Sequence, residues 1–109
     1  MKTLIEVNLQ YEATHNWPDA DKIPEVAYLK NEHRHIFHVQ VRKSVEDLDR
    51  EIEIIKFKNE VLEYLGRFDH KFDNLSCEQI AQAIAKVFKA DRVRVLEDGE
   101  NGALVYYHY

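Results

Sequence analysis

The fold is decided by the stretch His33-Arg34-His35-Ile36-Phe37-His38-Val39-Gln40-Val41. Side chains alternate between the two faces of an extended strand, so every second residue shares a face. His33 and His35 therefore fall on the same face as the apolar residues Phe37, Val39 and Val41. The stretch predicts a β-strand that carries two histidines at one end of its apolar face.

An earlier stretch repeats this alternation and ends in a third histidine. Its apolar positions, separated by polar residues, are Ile5, Val7, Leu9, Tyr11 and Ala13, and His15 closes the series. If the two strands pair antiparallel, the end of the first lies beside the start of the second, and His15 meets His33 and His35. Three neutral imidazoles that converge from rigid strands match a catalytic zinc site with one open position. Chance and core packing also produce a His-x-His pair on a strand, so a packing role stays open.

Composition excludes several classes of protein. The 109 residues are the length of one domain, which we take to span residues 1–109, and the net charge is −5. The basic footprint of a nucleic-acid-binding protein is absent. No window approaches the ~18 apolar residues of a membrane span. A single cysteine excludes an internal disulfide framework. The N-terminal residues lead into a strand rather than an apolar signal core, so we expect a cytoplasmic protein.

The rest of the chain predicts two helices and two further strands. A helix is expected to end at Leu65, and Ser76 with Gln79 forms a capping-box signature before a second helix. Strands at residues 92–97 and 103–107 flank a Gly- and Asn-containing hairpin loop. Residues 15–32 lack periodicity and contain two prolines, so we expect a loop that covers the histidines. The prediction is an α+β domain in the order ββααββ, with four antiparallel strands and two helices on one face.

Four other residues are candidates for chemistry. Asp69 beside His70 could orient or charge a general base, although an exposed Asp-His pair is also common. Glu97 ends a strand, where its carboxylate could accept two parallel hydrogen bonds from an amino-pyrimidinone edge. A solvated turn residue is the alternative for Glu97. Cys77 lies in the first turn of the second helix, where packing as a small buried residue is its simplest role.

Taken together, these segments resemble the 6-pyruvoyltetrahydropterin synthase and 6-carboxytetrahydropterin synthase family. The similarity runs over nearly the whole chain, and its motifs occur in the family's order. They are Tyr11-Glu12-Ala13-Thr14-His15, similar to Phe-x-Ala-x-His; His33-Arg34-His35, similar to His-Gly-His; Phe68-Asp69-His70, similar to Leu-Asp-His; Leu75-Ser76-Cys77-Glu78, similar to Pro-Thr-x-Glu; and Val95-Leu96-Glu97, similar to the strand that ends in the pterin-anchoring Glu.

The resemblance implies a tunnelling fold, a homo-oligomer built from trimeric rings, commonly a hexamer, and active sites at subunit interfaces. It implies Zn²⁺ held by His15, His33 and His35, a pterin gripped by Glu97, and a proton relay through Asp69 and His70. The implied substrate is 7,8-dihydroneopterin triphosphate. The implied products are 6-pyruvoyltetrahydropterin, or 6-carboxytetrahydropterin with acetaldehyde on the route to deazaguanines.

The chain also departs from the family pattern. The family's catalytic cysteine precedes the His-x-His, and Leu29 occupies that place here. A further subtype has a glutamate where this chain has Lys30, and Arg34 replaces the central glycine. Losing a proton-transfer group typically costs ~10²–10⁴-fold in rate. The sequence therefore leaves three possibilities open: a zinc-dependent pterin lyase, a homologue that binds zinc and pterin without the standard reaction, and a structural oligomer whose histidines are packing residues.

Overall fold

The computed structural model describes residues 1–107, and His108 and Tyr109 lie outside the described part. Its strands are β1 (Thr3–His15), β2 (His33–Val45), β3 (Lys71–Asp73), β4 (Arg92–Glu97) and β5 (Asn101–Tyr106). Its α-helices are α1 (Ile54–Gly66) and α2 (Cys77–Phe88). Two short 3₁₀ helices, Ala20–Lys22 and Pro24–Lys30, lie between β1 and β2. These elements form an α+β fold around one five-stranded sheet in the order β3-β1-β2-β4-β5.

The apolar alternation of β1 and β2 produces the core. The two strands pair antiparallel along their whole length, and the register sets Val7 opposite Val41. Their apolar face is buried together with the apolar face of β4 and the inner faces of both helices. Phe57 and Leu65 of α1 and Ile84 of α2 are buried in this core. The two helices therefore cover one face of the sheet, as predicted.

The expectation of four antiparallel strands in the order ββααββ is wrong. Residues 71–73, which lie between the two predicted helices, form β3, which pairs parallel with the end of β1. Backbone hydrogen bonds hold it there, since Thr14 N donates to His70 O (2.9 Å) and Asn16 N donates to Asp73 O (2.8 Å). The order along the chain is ββαβαββ. A strand of three residues is too short to show a period in sequence, because its pairing depends on a distant strand.

The segment between β1 and β2 is more regular than the predicted loop. Pro24 begins the second 3₁₀ helix, which is kinked at Val26. Proline is tolerated in a first helical turn because its missing N–H would have no intrahelical partner there. Trp17 N donates to Leu29 O at 2.8 Å, so the two ends of the segment are joined. The segment is a short folded cover rather than an extended loop.

Other predictions agree closely with the structure. The predicted strand at residues 92–97 has the bounds of β4. Ser76 and Gln79 form both hydrogen bonds of a capping box, from Gln79 N to Ser76 Oγ (3.2 Å) and from Ser76 N to Gln79 Oε1 (2.9 Å). Within residues 1–107, no helix combines the length and the apolar character that a membrane crossing needs.

Gly102 of β5 is a position that only glycine fits. A Cβ built there would lie 1.8 Å from Val95 O of β4. Gly102→Ala is therefore expected to destabilise the fold by ~1–3 kcal/mol, the usual cost of overpacking. Urea unfolding followed by circular dichroism measures the change.

Gly66→Ala is the matched control for this substitution. Gly66 ends α1, and none of the atoms in residues 1–107 that could obstruct a side chain lies within 4 Å of a Cβ placed there. The control is expected to leave the free energy of unfolding unchanged or to raise it by ~0.4–1 kcal/mol, because alanine lowers the conformational entropy of the unfolded chain. Equal unfolding midpoints for the two variants would contradict the close approach of β4 and β5.

Candidate metal centre

The structure brings three histidines together at one end of the sheet. His15 is the last residue of β1, and its Cα partner is His33, the first residue of β2. His35 lies two residues further along β2, on the same face. The ring centroids are 4.6 Å apart for His15 and His33, 5.3 Å for His15 and His35, and 5.0 Å for His33 and His35. The strand ends therefore place three imidazoles around one point.

Each of these rings uses Nδ1 to contact a protein oxygen. His15 Nδ1 lies 3.0 Å from Leu75 O, and His33 Nδ1 lies 2.8 Å from Asn31 O. His35 Nδ1 lies 2.7 Å from Oδ2 of Asp98. Carbonyl and carboxylate oxygens accept hydrogen bonds, so in the neutral rings Nδ1 is the donor and Nε2 carries the lone pair. Metal-binding histidines are oriented in this way by their other ring nitrogen.

Glu97, the last residue of β4, brings a carboxylate to the same point. Its Oε2 lies 2.9 Å from His15 Nε2 and 3.6 Å from His35 Nε2. One ligand atom from each of the four residues can be chosen so that all four lie within 4.8 Å of one another. We call His15, His33, His35 and Glu97 the metal-ligand cluster.

Two ring nitrogens of the cluster lack a hydrogen bond to any of the described residues. His15 Nε2 and His35 Nε2 are buried without a hydrogen-bond partner among the described residues. The nearby Glu97 oxygen is close to His15 Nε2 in distance but does not meet the direction of a hydrogen bond. Buried lone pairs that face a carboxylate cost free energy, and a cation bound between them would remove that cost. The donor set of three imidazole nitrogens and one carboxylate oxygen suits Zn²⁺.

A pocket of about 530 Å³ opens beside the cluster. His15, His33 and Glu97 form its floor, and Asn101 and Gly102 lie at the start of β5. Trp17 and Leu29 line the pocket from the segment between β1 and β2. Leu75 lines it from the turn before α2, and Cys77 and Glu78 line it from the first turn of that helix. The volume is in the range of sites for small organic ligands. Trp17 and Leu29, from the two ends of the segment between β1 and β2, therefore border the same pocket as His15 and His33.

Cys77 belongs to the pocket wall as a protonated thiol. Burial raises the pKa of Cys77 to about 12, and the negative charges of Glu97 and Glu78 add to this shift. A thiol with such a pKa carries almost no thiolate at neutral pH, and the thiolate is the nucleophilic form. Cys77 is therefore a weak nucleophile at neutral pH.

Asp69 and His70 lie in the turn that precedes β3. The His70 ring stacks on Tyr11, with centroids 4.9 Å apart, and its Nδ1 lies 2.6 Å from Glu12 O. The His70 carbonyl oxygen accepts a hydrogen bond from Thr14 N (2.9 Å), one residue before His15, so the His70 backbone lies beside the end of β1 while its ring is turned to Glu12 and Tyr11. Among the described residues, neither Asp69 nor His70 lines the pocket. Asp69 and His70, the residues of the predicted proton relay, are therefore not part of the pocket beside the cluster.

Asp98 is a functional candidate that the sequence did not reveal. Its Oδ2 holds His35 Nδ1 at 2.7 Å, and its Oδ1 accepts from Ile36 N at 3.0 Å. The Ile36 N–H first, and then His35, lower the pKa of the Asp98 carboxyl. Asp98-Gly99 is a common turn dipeptide, so only the fold shows that this side chain reaches back to β2.

The fold and the cluster define an α+β domain with a candidate metal centre of three histidines and one glutamate. No protein-family model matches the chain, and no curated protein matches its sequence.

Proposed function

We propose that this protein is a zinc-dependent lyase of the 6-pyruvoyltetrahydropterin and 6-carboxytetrahydropterin synthase type. Its proposed substrate is 7,8-dihydroneopterin triphosphate or a related pterin. The observation that carries the proposal is the grouping of His15, His33 and His35, each with Nδ1 against a protein oxygen and each with a ligand atom within 4.8 Å of those of the others. Bound Zn²⁺ would supply a Lewis acid that acidifies the hydroxyls of the substrate side chain.

The pocket beside the cluster suits a flat bicyclic ring. Its volume of about 530 Å³ can hold a pterin, and Glu97 lies on its floor. The Glu97 carboxylate would accept two hydrogen bonds from the amino group and ring N–H of the pterin. Trp17, on the wall, would supply an aromatic surface beside the ring. This arrangement would orient the pterin with its side chain near the histidines.

Asp69 and His70 would serve the active site of another subunit. His70 Nδ1 faces Glu12 O, so the other ring nitrogen of the neutral ring is free to accept a proton. His70 is exposed, and among the described residues β5 leaves one edge of the sheet without a paired strand. An open edge favours assembly between copies. We therefore propose a tunnelling-fold homo-oligomer, a hexamer from two trimers, with sites at subunit interfaces.

The chemistry of the chain also suits a reducing compartment. Cys77 is the only cysteine, and it is a free buried thiol. Disulfide frameworks are typical of oxidising compartments, and none can form within this chain. We propose a cytoplasmic protein whose product serves tetrahydropterin or deazaguanine (queuosine) biosynthesis.

A second candidate function is a zinc- and pterin-binding homologue without the standard reaction. The observation in its favour is Leu29, which lines the pocket at the position of the family's catalytic cysteine. Cys77 lines the same pocket, but its raised pKa makes it a poor replacement. This candidate keeps the cluster and the pocket and loses the proton transfer.

Incubation of the zinc-loaded protein with dihydroneopterin triphosphate separates these functions. We expect release of triphosphate or acetaldehyde above the rate of a solution that contains zinc alone. Pterin binding without release of triphosphate or acetaldehyde would support the second candidate function. Fewer than one zinc per subunit after reconstitution, measured by elemental analysis, would contradict both and leave the histidines as packing residues.

A further inference from the structure

Glu97 differs from the three histidines in how it is held. The three imidazoles are each fixed by a contact from Nδ1 to a protein oxygen. The Glu97 carboxylate makes no such contact: among residues 1–107 its side chain meets only the Nε2 atoms of His15 and His35. Its side chain is 31% exposed and borders the pocket. The cluster therefore combines three anchored nitrogen ligands with one unanchored oxygen ligand.

The unanchored carboxylate of Glu97 affects whether a metal ion in the cluster can bind a substrate. Zn²⁺ in structural sites has four protein ligands, whereas catalytic sites keep one position open for water or substrate. The metal-ligand cluster offers four protein ligands in one group. A resting centre that used all four would be closed to substrate. Glu97 is the ligand that can leave, because no protein hydrogen bond has to break when its carboxylate turns.

We propose that Glu97 is a displaceable fourth metal ligand that closes the resting centre and turns into the pocket when substrate binds. The inference rests on the proposed function in one respect, that the cluster holds a divalent cation. A heterocycle with adjacent N–H donors competes with the cation for the same carboxylate. Occupation of the pocket and opening of the centre are thus coupled through one side chain.

The coupling also defines what kind of ligand opens the centre. A ring that presents two adjacent N–H groups can hold both carboxylate oxygens, as a bidentate donor does. A ring without these donors can fill the pocket, but it does not compete with the cation for the Glu97 carboxylate. The centre is therefore selective for amino-substituted heterocycles, and it stays protected from water when the pocket is empty.

Azide binding to the Co²⁺-substituted protein tests the inference. Co²⁺ takes the place of zinc and reports its coordination through visible absorption, and azide is a small anion that needs an open position. In the unaltered protein we expect weak azide binding. In Glu97→Gln, which keeps the shape of the side chain, we expect an altered cobalt spectrum and azide affinity at least about tenfold higher. We also expect at least about tenfold weaker zinc affinity, since even groups that only orient metal ligands have effects of this size.

Glu78→Gln is the matched control, because Glu78 lines the same pocket but is outside the metal-ligand cluster. The control removes the same charge and is expected to leave the spectrum and both affinities unchanged. Equal azide affinity, zinc affinity and cobalt spectrum in Glu97→Gln and the unaltered protein would overturn the inference while leaving the proposed function in place. Failure of the unaltered protein to bind Co²⁺ or Zn²⁺ would overturn both.

Discussion

His33→Ala is expected to weaken zinc binding by about two orders of magnitude in Kd while the domain stays folded. His33 is only partly buried, begins β2 and contributes no side chain to the hydrophobic core. Structural zinc sites with four ligands have apparent binding free energies of ≈ 10–16 kcal/mol, so one ligand accounts for roughly 3 kcal/mol. That loss corresponds to about two orders of magnitude in Kd. Competition with a chromophoric chelator measures the change, and circular dichroism checks the fold.

His38→Ala is the control for this substitution. His38 lies on the same strand, but the alternation of side chains puts it on the opposite face from His33 and His35. Its ring packs near Gly99. We expect His38→Ala to bind one zinc with the affinity of the unaltered protein. Unchanged zinc affinity in His33→Ala, or an equal loss in both variants, would contradict the assignment of the cluster.

The sequence predicted the part of this site that depends on strand alternation. The period of two in β1 and β2 fixes which residues share a face, and the antiparallel register then brings His15 beside His33. The alternation can be seen within each strand, and the register follows from matching the two apolar faces across the connecting segment. The same local logic predicted the Ser76–Gln79 capping box. Where a structure follows from residues near in sequence, the sequence is sufficient to predict it.

The parts that were missed depend on distant contacts. β3 exists because three residues pair with the end of β1, and those residues have no period of their own. The oxygen that orients His15 is the backbone carbonyl of Leu75, 60 residues away, which any residue type could supply. His70 is positioned by stacking on Tyr11, and a dipeptide motif contains no information about that partner. Each of these features requires the folded chain.

Leu29→Cys is expected to raise the rate of pterin conversion by ~10²–10⁴-fold, the usual contribution of a proton-transfer group. Leu29 lines the pocket together with His33 and Glu97, so a thiol there would face the bound substrate. The backbone at this position is held by the hydrogen bond from Trp17 N to Leu29 O (2.8 Å), which a cysteine keeps. The substitution therefore places a thiol in the pocket without changing the fold. Release of triphosphate or acetaldehyde by the zinc-loaded variant gives the rate.

Two controls separate the chemistry of the thiol from its size and from metal capture. Leu29→Ala opens the same space without a thiol and is expected to give no increase. Zinc content must stay at one per subunit in Leu29→Cys, because a cysteine near the cluster could add a ligand to the cation. A rate that Leu29→Cys does not raise above that of the unaltered protein would contradict the prediction. If the unaltered protein also converts the pterin, this result would mean that another group already transfers the proton. The exposed His70 of a neighbouring copy would then be the first residue to test.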